Sequence, residues 1–360
     1  MELLNGCAIG ALLAAAAGCV PDFVDDTTRV DSSRIVAIRS DPAEAAEGEQ
    51  VTLSALVVGT QDAASVDWAL CVDRKPLSEL GPVSPRCLAG PELDPSVAVF
   101  LGNAEGAMPS VTATLPAIAC QLFGPQRPDP KANEPAGRPV DPDSSGGFYQ
   151  PTLAWMGKAA VLGGVRLTCP LSGATREGLV EYNQRYRHNA NPEIESFELV
   201  HADGTSSTLD SQSPTAVLPA ERLTLRVSWP ECPSEAVCGD GICGTDETNQ
   251  ADDSSGSGFV ACADDCAAPR GCGGAERYVS YDQLEQRVLR LEESIVVSWY
   301  ATAGSFDEPR TDGGSGATAA GTLSQNGFTA PASGGVRLWA VVRDDRGGVT
   351  WASAALNVVP

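Results

Sequence analysis

Between Trp229 and Tyr278, six cysteines fall within a short stretch: Cys232, Cys238, Cys243, Cys262, Cys266 and Cys272. Thiols at this density either cross-link one another or hold a soft metal. Five carboxylates are interleaved with them, Asp240, Asp246, Glu247, Asp264 and Asp265. These are hard oxygen donors of the kind calcium takes, although their spacing is not that of an EF-hand loop. Zinc is the weaker reading, because the chain has only two histidines, His188 and His201, and no paired C-x-x-C knuckles. The six cysteines allow many disulfide pairings, and sequence alone does not choose among them.

Other reactive constellations are sparse. The chain has no G-x-S-x-G elbow, no H-E-x-x-H and no phosphate-binding G-x-x-x-x-G-K-[ST]. Gly239–Gly244 spells G-x-G-x-x-G, but that fingerprint needs a buried strand before it and a helix after it. Prolines and cysteines precede it here, and a polar, helix-poor run follows. His188 sits in the polar run Arg185-Tyr186-Arg187-His188-Asn189, and His201 precedes the turn Ala202-Asp203-Gly204. Both read as solvated or hydrogen-bonded side chains. No catalytic residue is assigned, and a hydrolase would need a cleft where a histidine meets a carboxylate or a serine.

The run Val237-Cys238-Gly239-Asp240-Gly241-Ile242-Cys243 with Glu247-Thr248 and Cys262-Ala263-Asp264-Asp265-Cys266 resembles the C-G-D-G-x-C cysteine-rich repeat of bacterial secreted and envelope proteins. The resemblance covers about 35 residues and implies a disulfide-stapled module. Asn249–Phe259 makes the spacing to the later cysteines longer than usual. A segment with no hydrophobic core of its own depends on such cross-links.

At the other end, an apolar run from Cys7 to Gly18 closes on Ala16-Ala17-Gly18-Cys19. About a dozen apolar residues are too few to cross a bilayer and suit the core of a secretory signal. The ending resembles a bacterial lipoprotein signal, which implies cleavage before Cys19 and lipid on that thiol. The same run also fits a plain secretory signal or a buried N-terminal helix. Two or three acyl chains give stable anchoring. Val20 after the cysteine, rather than Asp, is compatible by family inference with outer-membrane sorting.

Composition agrees with export. Setting aside Cys7 and Cys19 leaves Cys71, Cys87, Cys120 and Cys169 with the six above, an even number suited to an oxidising compartment. With 24 basic and 47 acidic residues, the net charge of −23 repels phosphate backbones and argues against nucleic-acid partners. The 360 residues are enough for two cores.

What must position these groups is a set of strands. Period-two alternation marks a short strand and turn at Ile35–Pro42, then Gln50–Val58 and Val66–Cys71. The order recurs in Ile194–Leu199, Glu221–Trp229 and Ile295–Ala301. Gly163-Gly164-Val165-Arg166-Leu167 returns unchanged as Gly334-Gly335-Val336-Arg337-Leu338, each read as a glycine turn feeding a late strand, and supports duplication. Trp68 and Trp299 are the expected core tryptophans. A final hairpin turns at Asp344–Gly348, with Asp344 and Asp345 as turn formers and Trp339 and Trp351 facing across the strands. One helix is expected over Ala174–Tyr186, ended by Asn191-Pro192. Pro125–Asp143 and Asp312–Thr322 read as extended loops.

The expected fold is all-β: two antiparallel β-sandwich domains that resemble immunoglobulin-like and PKD-like modules, with a disulfide-rich insertion in the second. The divisions are a signal over 1–18, a lipidated tether over 19–30, one domain over 31–190, and a second over 191–360 with its insertion at 230–275. The expected role is a non-catalytic binding or scaffolding lipoprotein of the cell outer membrane, periplasmic or surface-facing, with a protein or glycan ligand and no cofactor beyond possible calcium. The alternative is a calcium-dependent or carbohydrate-binding adhesin, for which Phe148 and Tyr149 are the candidate exposed aromatics.

Overall fold

The computed structural model describes residues 27–59, 64–75, 83–90, 92–126, 140–248, 259–267, 271–313 and 321–360. Cys19, the expected signal, most of the tether and most of the proline-rich segment lie outside the described residues. The fold is all-β, with several sheets and a disulfide-rich region.

The first unit has eight strands: β1 (Arg34–Asp41), β2 (Glu44–Ala46), β3 (Gln50–Val58), β4 (Ala64–Cys71), β5 (Ala98–Gly106), β6 (Ser110–Thr114), β7 (Tyr149–Met156) and β8 (Ala159–Thr168). They form a three-stranded sheet, β1-β3-β6, and a five-stranded sheet, β2-β8-β7-β4-β5. Alternation along β3 sends Val51, Leu53 and Ala55 into the core shared with Trp68, Leu70 and Val165. Along β7, however, every residue from Gln150 to Trp155 is buried, so this sheet is covered on both faces. Residues of the long connections, Val83, Leu115, Ala119 and Phe123, belong to the same apolar cluster. The bridges Cys71–Cys87 and Cys120–Cys169 staple these connections down, the second through the short helix α1 (Ala119–Leu122).

After α2 (Arg176–Arg185), the second unit repeats the plan. Its strands are β9 (Ser196–Val200), β10 (Ser206–Thr208), β11 (Thr215–Val217) and β12 (Arg222–Ser228), then β17 (Val296–Ala301), β18 (Ser305–Phe306), β19 (Arg310–Asp312), β20 (Leu323–Thr329), β21 (Gly334–Arg343) and β22 (Val349–Val358). The sheets are β10-β9-β12-β20-β18 and β11-β22-β21-β17-β19. The order β1-β3-β6 corresponds to β9-β12-β20, and β2-β8-β7-β4-β5 to β11-β22-β21-β17-β19. Trp68 on β4 and Trp299 on β17 hold equivalent places and are both buried.

The five-residue repeat departs from this equivalence. Gly163–Leu167 lies on the last strand of its unit and Gly334–Leu338 on the next-to-last of the other. Gly163 and Gly164 make no turn; they pair in mid-strand with Thr152 and Pro151. A Cβ on Gly163 would meet the Thr152 hydroxyl and Ile38, which is why glycine is needed there. In the two five-stranded sheets that hold Trp68 and Trp299 the expected antiparallel order also has two exceptions, because β2 runs parallel to β8 and β11 to β22. Pro42, which lacks an N–H, ends β1, and the chain crosses to the opposite sheet to form β2.

The excursion between β12 and β17 is longer than 230–275. It holds β13 (Glu247–Thr248), β14 (Val260–Ala261), helix α3 (Ala263–Ala267) and a separate ribbon of β15 (Arg277–Asp282) and β16 (Arg287–Glu292). The expected helix forms as α2, with the Thr175 side chain accepting the Gly178 N–H at its start.

The two units meet along a third apolar cluster. Ala37, Leu56 and Val58 of the first unit pack with Trp339, Val341 and Val349 of the second. Trp339 and Trp351 share this face, but their direct cross-strand partners are Ser353 and Val341. The end of the expected tether is part of the seam: Val30 is buried and its N–H donates to the Ala301 carbonyl at 2.9 Å.

Candidate binding cleft

The cysteine-rich segment is organised by disulfides and by two buried carboxylates. Cys232 pairs with Cys272 at its neck, Cys238 with Cys262, and Cys243 with Cys266. Glu247 accepts the N–H groups of Val237 and Gly244 at 2.8 and 3.1 Å. Asp265 accepts those of Gly239 and Gly241 at 2.6 and 3.1 Å. Both glycines have positive φ, so the G-x-G-x-x-G run is a pair of turns, and among the described residues a turn and a two-residue strand at Glu247–Thr248 follow it.

The five candidate calcium ligands are therefore spread over different tasks. Asp246 sits between the guanidiniums of Arg185 and Arg290. Asp240 accepts the Ile242 N–H at 2.9 Å in its own turn, and Asp264 lies in the first turn of the helix over Ala263–Ala267. Donor atoms of Glu247, Cys262 and Asp265 lie within 4.8 Å of one another, as do those of Cys243, Glu247 and Cys266. The sulfurs in both groups are bound in disulfides, which leaves no thiolate to ligate.

Between this segment, the connector after α2 and the start of β15 lies a cleft of about 330 Å³. Tyr186, Arg187 and His188 line it, together with the apolar surface of Pro233, Ala236 and Ile242. Arg187 builds the site. It donates to the carbonyls of Cys243, Gln184, Tyr186 and Glu247 at 2.6–3.1 Å, and so ties the insertion to the connector. Arg277 donates to the Ser234 carbonyl across the neck.

Behind the cleft, Glu276 joins a buried ionic cluster. Arg346, fully buried in the last turn, lies 3.1 Å from Glu293, 3.7 Å from Glu276 and 3.6 Å from Glu44 of the first unit. It also donates to the Arg187 carbonyl at 2.7 Å and lies over the Tyr278 ring. Glu44 accepts from the Tyr186 hydroxyl, the Thr168 hydroxyl and the Asn189 N–H, and faces Arg166 at 3.4 Å. Asp344 accepts the N–H groups of Arg346 and Gly348, as a turn former should. Burial raises the carboxyls of Glu276, Glu293 and Asp344 above the ordinary range; for Glu293 the neighbouring Asp344 and Glu276 charges add to it. Burial, with Glu44 beside it, pushes the Tyr186 phenol up to about 12.

Both histidines lie at concavities. His188 lines the cleft and stands edge-on to Tyr186, whereas His201 is 2.8 Å from Glu221 in a separate depression with Thr224 and Asn326. Among the described residues, neither ring is hydrogen-bonded to a hydroxyl or thiol. Phe148 and Tyr149 are half-buried rather than open platforms: Phe148 packs on the first core, and the Tyr149 hydroxyl accepts from Arg166. Sequence reasoning located the cysteines and acids of the insertion but missed Arg187, Arg346, Glu44, Glu276 and Glu293. Their only signal was charge inside otherwise structured segments, which solvated residues share.

No family model and no curated protein matches the chain. Among solved structures, it is similar to dimeric latent PorU of Porphyromonas gingivalis, at 14% identity and TM-score 0.20, over 92% of this chain and 24% of that one. It is also similar to the adhesin InvE of Yersinia pseudotuberculosis, at 8% identity and TM-score 0.19, over 91% of this chain and 59% of the other. Likeness at this level carries no argument about fold or function.

Proposed function

We propose that the protein is a non-catalytic lipoprotein of the bacterial outer membrane that acts as a binding or scaffolding module. Lipid on Cys19 would hold it, and its two sheet pairs would be immunoglobulin-like sandwiches carrying the cysteine-rich insertion. The observation that carries this reading is the use of cysteine. Ten cysteines beyond Cys19 pair as five disulfides, the arrangement of an exported chain, and they follow a short apolar run that ends in small residues and a cysteine. A body locked at its seam, with an open cleft at the insertion, suits display of a fixed surface more than turnover.

Expression in a Gram-negative host tests it. The expected result is an acylated N-terminal cysteine by mass spectrometry and partition into detergent, both lost in Cys19→Ser. An unmodified chain recovered from the cytosol with reduced cysteines overturns it.

A further inference from the structure

The cleft bounded by Tyr186, the neck of the insertion and Arg277 is small, at the lower edge of the roughly 300–1,000 Å³ typical of ligand sites. It suits a single side chain or a ligand of similar bulk. Of its guanidiniums, Arg187 gives its donors to backbone carbonyls, and the exposed Arg277 spends one N–H on the Ser234 carbonyl. Arg187 is therefore not free to fork onto an incoming anion. Also on the lining, Glu235 is exposed and has no hydrogen-bond partner among the described residues, and Asp240 uses one oxygen on the Ile242 N–H. The Arg187 charge is offset by Glu247, and Glu235 with Asp240 outnumbers Arg277, so the charge lining the cleft sums to negative beside the apolar surface of Pro233, Ala236 and Ile242.

We propose that this cleft receives one arginine or lysine side chain from a partner protein, with the aliphatic stem over Pro233, Ala236 and Ile242 and the charge between Glu235 and Asp240. The inference rests on the binding-module reading above and supplies its ligand class. Long cationic side chains lay their stems on apolar surface and keep the head on polar groups, and arginine is among the residues that dominate protein interfaces. The net charge of −23 adds long-range attraction for a basic partner and falls off with salt.

The test uses the intact mature chain and fluorescent, end-blocked Gly-Arg-Gly, Gly-Lys-Gly and Gly-Glu-Gly peptides, followed by polarisation at low and high salt. Saturable binding of the arginine and lysine peptides is expected, weaker at high salt, with no binding of the glutamate peptide. Glu235→Gln with Asp240→Asn should weaken it at least tenfold at an unchanged melting temperature, since the amide introduced by Asp240→Asn keeps an oxygen to accept the Ile242 N–H. Ala236→Trp, which fills the cleft, should abolish it. Equal binding by the double variant, or binding indifferent to Ala236→Trp, overturns the proposal. Binding of the glutamate peptide that Ala236→Trp abolishes overturns the cationic ligand and keeps the cleft as a binding site. If no peptide binds, the cationic ligand fails, and the anchoring proposal still stands or falls on Cys19.

Discussion

At the residue scale, Arg346 separates charges that hold the molecule from charges that merely decorate it. Its guanidinium is wholly buried and answers Glu293, Glu276 and Glu44, drawn from distant parts of the chain. Removing one partner from a buried ionic cluster leaves the others desolvated and unanswered, at a cost of about 3–5 kcal/mol. Arg346→Ala should therefore lower stability by about that amount, read as the urea unfolding midpoint. Arg222→Ala should change it by less than about 1 kcal/mol, because the Arg222–Asp307 pair is exposed on both sides. The turn containing Arg346 was legible in the sequence through its aspartates and glycines. The destination of its guanidinium was not, since Glu44 lies some three hundred positions earlier.

At the scale of elements, the five-stranded sheet of the first unit explains two of the disulfides. A strand buried on both faces needs a cover on each side, and here one cover is connecting chain with little regular structure. The Cys120–Cys169 bridge fastens α1 to the end of β8, closing a loop of 49 residues. Cys120→Ser with Cys169→Ser should cost about 2–5 kcal/mol in the main unfolding transition. The bridges inside the insertion serve a region outside both apolar cores. Cys238→Ser with Cys262→Ser is accordingly expected to speed trypsin and elastase cleavage within 232–272 while the main transition stays in place. A matching loss of global stability would show that the insertion is part of the core. The alternating strands and α2 were readable because their patterns are local. The five-residue repeat misled because identical glycines serve a mid-strand close approach in one unit and a strand start in the other.

For the whole molecule, the seam is the feature that sets behaviour. An apolar strip joins the units, and beside it carboxylates from both units and the insertion share two buried guanidiniums. Glu276, Glu293 and Asp344 are raised in the folded state. Between the ordinary carboxylate range and these raised values, the folded protein holds more protons than the unfolded chain. Stability then falls as pH rises through that window. Repulsion from the −23 net charge acts in the same direction. The groups held low, Asp94, Asp203, Asp282 and Glu221, act below the window and with opposite sign. Thermal unfolding from pH 5 to pH 8.5 should show a falling melting temperature, and Glu293→Gln should flatten the slope. A melting temperature that climbs with pH across this range contradicts the buried cluster.

The sequence by itself determined the all-β class, several of the alternating strands in each half, the buried tryptophans and the even cysteine set, because alternation, turn residues and thiol count are properties of neighbours along the chain. Only the tertiary structure decided which cysteines meet, that Glu247 and Asp265 turn inward to backbone N–H groups, and that Glu44 and Arg346 share one buried site. These are encounters between segments far apart in sequence, and they are settled by which surfaces exclude water together.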